Sequence, residues 1–279
     1  MPTKPKIGFI QGRLSPITNH RIQQFPWDSW QNEFTVASKI DIKLVEWTID
    51  TFKFYQNPLI YLNQWEEINT IAKKNNILIP SVTCDYFMEN PPWKSDFDLV
   101  KKRISAILQG MKNISANILV VPLVDNSSLQ KSSNIIIVKD LFTELIPEIS
   151  ENNVQIAFEC DLNPEELLDF ISKFDSNYFG INYDIGNSAS LGFNPDEEFK
   201  AYGSRITNVH IKDRKLHGPT IPLGEGDADF LRIFRLLQEE NYQGNLILQT
   251  ARSKEGKDAE VLVKFKKLVG DWWEESKID

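Results

Sequence analysis

Eight short apolar runs recur along this chain, and no other feature narrows its folding options so far. They begin at Lys6 (KIGFI), Lys43 (KLVEW), Ile79 (IPSVTC), Asn117 (NILVVP), Val154 (VQIAFE), Phe179 (FGINYD), Ile206 (ITNVHI) and Asn245 (NLILQ). Most are rich in β-branched or aromatic residues and bounded by Gly, Pro, Asn or Asp, as buried strands are. Successive starts lie between 25 residues (Val154 to Phe179) and 39 residues (Ile206 to Asn245) apart. That is about the length of a strand, a helix and two loops.

The intervening segments carry helical periodicity. Trp30, Phe34 and Ala37 line one face of 27–39, and Leu62, Trp65, Ile68 and Ile71 one face of 61–74. Val100, Ile104, Ile107 and Met111 do the same for 97–114, and Phe230, Ile233, Phe234 and Leu237 for 228–239. This is the stripe that a helix buries against a core. Further helices are expected over 134–148, 164–174, 195–202 and 257–273. Asn163-Pro164-Glu165-Glu166 and Asn194-Pro195-Asp196-Glu197 each place a cap, a proline and acids where a helix starts. Eight strands alternating with eight helices predict an α/β fold, a single-domain (β/α)8 TIM barrel over residues 1–279. Nucleotide-binding alternatives lose support, because no G-x-G-x-x-G follows the first run and no G-x-x-x-x-G-K-[ST] occurs.

Global properties narrow the function. A net charge of −8 opposes a nucleic-acid partner, which needs a basic face. No stretch approaches 18 apolar residues, so no membrane span is expected. The apolar run after Met1–Lys6 is too short for a signal-peptide core. Cys84 and Cys160, the only two cysteines, cannot form a disulfide framework. The expectation is a cytoplasmic enzyme.

A barrel carries its active site at the C-terminal ends of its strands. The polar residues there are Gln11 and Arg13, Glu46, Asp85, Asp125, Glu159, Asp184 with Asn187, His210 with Lys212 and Asp213, and Gln249 with Arg252. Runs five to eight therefore end in Glu159, Asp184, His210 and Gln249. Strand ends converge in a closed barrel, so these four donors are within reach of one divalent ion. Three oxygens and one imidazole suit Mn²⁺, Mg²⁺ or Co²⁺ ahead of Zn²⁺. Cys160 follows Glu159 and should turn away from the axis. His20 reads as a solvated loop residue, whereas His217 is placed to approach the substrate only as a lesser alternative. Asp227 is expected to cap the helix that follows it.

Several segments resemble the sugar phosphate isomerase/epimerase family of xylose isomerase-like, AP-endonuclease-2-like barrels. They are IGFIQGRLSP (7–16), IAFECDLNPEEL (156–167), INYDIGN (181–187), NVHIKDR (208–214), PLGEGDADF (222–230) and LILQT (246–250). The resemblance runs from the first strand to the last. It implies metal ligands at Glu159, Asp184, His210 and Gln249, the last standing where the family usually has Glu. It also implies isomerase or epimerase chemistry on a small sugar or sugar phosphate, through an enediolate formed by proton abstraction beside a metal-polarised carbonyl. Glu159 and Gln249 then occupy the catalytic positions. An amide cannot exchange a proton at neutral pH, so one-base isomerisation fits Gln249 more easily than symmetric epimerisation.

Around that centre, Arg13, Glu46, Asn187, Lys212 and Arg252 are candidate substrate-binding residues, with Glu46 alternatively holding Arg13 and Lys212 alternatively paired with Asp213 or Glu225. Trp47, Tyr86, Phe87 and Trp93 read as core or lid packing, or else as an apolar wall for the sugar. Two other readings stand beside this one: a non-catalytic sugar-binding barrel, and an abasic-site endonuclease, which the acidic charge and three histidines oppose. The Trp272-Trp273 pair is expected to close the barrel against the first helix, or else to form a homo-oligomer contact.

Overall fold

The computed structural model describes residues 5–17, 22–61 and 64–277. His20 and Leu62 lie outside them. Eight parallel strands close into a barrel: β1 (Ile7–Ile10), β2 (Val45–Ile49), β3 (Ser81–Cys84), β4 (Ile118–Leu123), β5 (Gln155–Cys160), β6 (Phe179–Asp184), β7 (Ile206–Ile211) and β8 (Leu246–Leu248). Each pairs with its sequence neighbours, and β8 pairs with β1 to complete the ring. All eight overlap the expected runs, with β2 running two residues and β4 and β5 one residue past them, and every residue of β2, β3, β6 and β8 is buried. Parallel strands covered by helices on one side and a filled interior on the other read as continuous apolar runs for this reason.

Eleven α-helical segments are found among the described residues: α1 (Trp30–Lys39), α2 (Trp65–Asn75), α3 (Tyr86–Glu89), α4 (Phe97–Ile114), α5 (Ser132–Glu144), α6 (Ile146–Glu151), α7 (Pro164–Ser172), α8 (Ile185–Leu191), α9 (Pro195–Tyr202), α10 (Phe230–Glu239) and α11 (Asp258–Glu275). The helix expected over 134–148 is broken at Leu145. Pro147 lacks the N–H that would bond the Thr143 carbonyl, so a new helix starts there. Asn163 and Glu166 form a reciprocal capping box on α7. Asp229, and not Asp227, caps α10 by accepting from the Arg232 N–H. Asp227 instead accepts from the Leu216 N–H in the preceding loop.

The tryptophan pair closes the molecule against α10 rather than α1. Trp272 stacks on Phe230 with centroids 4.6 Å apart, and Trp273 packs on Phe234 at 5.6 Å. Trp273 is fully buried, which contributes about 2–3 kcal/mol by area, while Trp272 is partly buried. Trp47 belongs to the apolar core with Phe25, Trp30 and Phe34, and its indole N–H is satisfied by Asn57 Oδ1 at 2.9 Å. Tyr86 and Phe87 are likewise buried packing residues, and Trp93 is partly buried against the core. No helix among the described residues is long and apolar enough to cross a membrane.

Candidate metal centre and active-site cavity

Strand alternation decides which residues enter the barrel. Inward positions recur every second residue, so Glu159, Asp184 and His210 bring Ala157, Asn182 and Asn208 with them on the same side. Asp184 pairs in register with His210, and Asn182 with Asn208. The result is a polar stack in the barrel mouth. Ligand atoms of Glu159, Asp184 and His210 all lie within 4.8 Å of one another, and all three residues are buried.

A layer beneath orients them. His210 Nε2 lies 2.7 Å from Glu46 Oε1, while Glu46 Oε2 accepts from Ser81 Oγ at 2.7 Å and from Asn208 Nδ2 at 3.0 Å. With Nε2–H held by Glu46, Nδ1 is directed at Glu159 Oε2 (3.4 Å) and Asn182 (3.1 Å). Asn182 also donates to Glu159 Oε2 at 2.7 Å, and Asn187 to Glu159 Oε1 at 2.8 Å. Asp184 Oδ1 accepts the Asn187 N–H and so caps α8. Asp184 Oδ2 meets Lys212 Nζ at 2.6 Å, and the same ammonium donates to Gln249 Oε1 at 3.1 Å. Gly186 makes room for this: a Cβ there would come within 2.7 Å of Lys212 Cγ.

Burial opposes a charged His210, but Glu46 and Glu159 outweigh it and push the imidazole up to about 10. Burial likewise opposes the charge on Glu159, yet His210, Lys212 and Asn182 hold its carboxyl below the usual range. A proton on His210 and the ammonium of Lys212 therefore supply positive charge among the converging donors. Two carboxylates and an imidazole whose distal nitrogen is held by Glu46 are a donor set that suits a divalent ion.

Above the centre opens a cavity of about 470 Å³ lined by Asp85, Glu159, Asn187, Lys212, Arg214 and Gln249, among others. His217 also lines it, as do Asp125 and Asp161. Cys160 does not, and lies instead with Tyr183 and Glu198 behind α8.

The candidate residues thus fall into distinct places. Glu159, Asn187, Lys212 and Gln249 line the cavity, with Asp184 and His210 at its base. Glu46 sits beneath, holding His210 and not Arg13. Lys212 pairs with Asp184 rather than with Asp213 or Glu225. Arg13 and Arg252 are not among the residues lining the cavity. Arg13 donates to the Thr250 and Ile22 carbonyls at 3.0 and 2.8 Å, and Arg252 to the Gly12 carbonyl at 2.7 Å, to Ser15 and to Asp258. Both tie the β1 loop to β8. Asp213 is buried as a hub for the glycine-rich loop, accepting N–H bonds from Gly224 and Gly226; a Cβ on Gly226 would collide with its carboxylate. The strand-end reading missed Asn182 and Asn208, although their spacing two residues before Asp184 and His210 marks them as inward-facing.

A (β/α)8 barrel with acids and an imidazole gathered at successive strand ends defines the class. The chain belongs to the xylose isomerase-like TIM barrel family, which matches residues 34–267. It is 19% identical over 268 residues to a putative L-ribulose-5-phosphate 3-epimerase of Haemophilus influenzae, covering 86% of this chain and 90% of that protein. Over a shorter stretch of 104 residues it is 34% identical to inosose dehydratase of Clostridium botulinum, 30% of this chain and 35% of that one. In structure it superposes on the IOLI protein with a bound zinc atom at a TM-score of 0.74 and 16% identity, over 98% of this chain and 100% of the other.

Proposed function

We propose that this protein is a divalent-metal-dependent isomerase or epimerase of a small sugar or sugar phosphate. The observation that carries the reading is the convergence of Glu159, Asp184 and His210 at the ends of β5, β6 and β7, with Glu46 fixing the imidazole from behind. Glu159, Asp184 and His210 would hold the ion, and the amide oxygen of Gln249 would complete the set once Lys212 turns away. Bound there, Mn²⁺, Mg²⁺, Co²⁺ or Zn²⁺ supplies Lewis-acid polarisation of a carbonyl.

The chain's own residues account for the rest. Glu159 is kept ionised and anchored by two amides, so it serves as the base that takes the proton beside the carbonyl. Asn187 links that carboxylate to Arg214, whose Nη1 donates to Asn187 Oδ1 at 2.9 Å, which orients it toward the cavity. Lys212 supplies a positive charge for a substrate oxyanion or phosphate. The family relationship and the epimerase named among the relatives support this chemistry.

A second reading, a sugar-binding barrel without turnover, is favoured by one observation: Lys212 bridges Asp184 and Gln249 across the place where an ion would sit. Elemental mass spectrometry of the purified protein, before and after chelator dialysis, separates the two. About one equivalent of divalent metal, lost with chelator, supports the enzyme. No metal even after reloading, with ketoses still raising the melting temperature, supports the binder.

A further inference from the structure

Inversion at a carbon beside a carbonyl needs two proton-transfer groups, one for each face. Glu159 is one. Gln249 cannot be the other, since its amide neither takes nor gives a proton at neutral pH.

The register of the barrel supplies an alternative. Thr83 of β3 pairs with Val120 of β4, which pairs with Ala157 of β5. Two residues further on, Pro122 pairs with Glu159. Asp85 stands two residues beyond Thr83, where β3 has just ended, near the level of Pro122 and Glu159. Thr83, Asp85, Pro122 and Glu159 all line the one cavity. Two strand spacings put the Asp85 and Glu159 backbones roughly 10 Å apart, with apolar Pro122 and Val124 between them. That gap suits a substrate carbon held between two carboxyls.

Asp85 is also free for this work. It begins α3 without capping it, and no hydrogen bond to its carboxyl is found among the described residues. Of the other acids lining the cavity, Asp161 is engaged by Ser128 Oγ at 2.8 Å, and Asp125 is solvent-exposed.

We propose that Asp85 is the second proton-transfer group of this site, working from the β3 side of the substrate while Glu159 works from the β5 side. This rests on the isomerase or epimerase reading given above. Glu159 removes the proton, and the C–H electron pair passes into the carbonyl to form an enediolate. Asp85, in its acid form, returns a proton to the other face of the carbon as the carbonyl re-forms. Glu159 ends protonated and Asp85 ionised, and exchange with water resets both. Burial, with Glu159 and Asp50 nearby, raises the Asp85 carboxyl to about 7, so both of its forms are populated near neutrality.

The test uses Mn²⁺-loaded full chain in deuterated water with D-tagatose and L-ribulose 5-phosphate as probes. Wild type should give epimer labelled at the inverted carbon. Asp85→Asn should still exchange that proton in the starting sugar, through Glu159, while epimer formation falls about 100-fold or more. Its metal content and melting temperature should stay as in wild type, and Asp85→Glu should recover part of the epimerisation. The proposal is overturned if Asp85→Asn epimerises at the wild-type kcat with only KM raised, which is the behaviour of a hydroxyl-binding residue. It is also overturned if wild type exchanges without inverting. Absence of both exchange and product in metal-loaded wild type would instead sink the enzyme reading itself.

Discussion

Two corners of the barrel mouth carry similar residues and use them in opposite ways. At the β1–β8 corner stand Arg13, Arg252 and Glu33; at the β5–β7 corner stand Glu159, Asp184, His210 and Lys212. In the first, most of the hydrogen bonds run to backbone. Glu33 takes the N–H groups of Gly12 and Leu14, and the two arginines take the carbonyls of Gly12, Ser15, Ile22 and Thr250. Gly12 turns there with φ +96°, and a Cβ would meet the Gln24 carbonyl at 2.6 Å. In the second corner the side chains face one another and a cavity. A strand-end charge is therefore open to a ligand role only where side chains, rather than loop backbone, hold its polar atoms; elsewhere it is the means by which a loop is tied down.

That contrast can be broken by mutation. The largest effect is expected at Glu159. Glu159→Gln should lower turnover of a responsive ketose by about 10²–10⁴-fold, the range for a lost general base. Turnover near wild type would remove Glu159 from the chemistry. Next comes Glu46, which touches His210 but does not line the cavity. Glu46→Gln should weaken metal affinity by about 10–100-fold, measured by competition with a chelating dye. At the opposite corner, Arg13→Met should cost about 2–3 kcal/mol of stability in denaturant unfolding, through lost charged hydrogen bonds. Metal affinity should not change. An equal loss of affinity from Arg13→Met would mean that the two corners are not separable.

The smallest effect sharpens the comparison by pH. Burial pushes Glu33 up to about 7, against the pull of the Gly12 and Leu14 N–H groups. Its raised value means that its stabilising contribution is full below pH 4.5 and is lost as pH rises through about 7. The proton on His210, with Glu46, Glu159 and Asn182 around it, behaves likewise in a higher window. Its contribution is full below pH 6.5 and is lost as pH rises through about 10. The stability difference between wild type and Glu33→Gln should thus vary mainly between pH 4.5 and 7. The metal-free protein should lose melting temperature between pH 7 and 10, and loading with Mn²⁺ should abolish that slope. Calorimetry near pH 8 in buffers of different ionisation enthalpy should register about one proton released per ion. Release of none would show that His210 is not displaced as a proton site.

Much of this was legible in the chain. Each barrel strand coincides, to within two residues at its end, with an apolar run read from β-branched content and spacing, and the caps at Asn163 and Asn194 stand where the sequence places them. The short helix α8 was not anticipated, because Asp184 both ends β6 and caps the next turn with one carboxylate. The break at Pro147 was legible in principle, as proline withholds a fixed hydrogen bond. The fate of Arg13 and Arg252 was not, since the partners that tie them across the β1–β8 corner, Thr250 and Gly12, lie more than 230 residues away in sequence.

Local sequence determines what a pattern of neighbours can determine. Apolar alternation sets the strands, periodicity sets the helices, and together they place Glu159, Asp184, His210 and Gln249 at successive strand ends. Closure of the barrel decided the rest, because it sets which of those polar groups find partners. It put Glu46 of β2 against His210 of β7, 164 residues distant, turned Lys212 onto Asp184 and Gln249, and left Asp85 and Glu159 lining one cavity with Pro122. Contacts between distant strands depend on register and ring closure, and no window of sequence contains both.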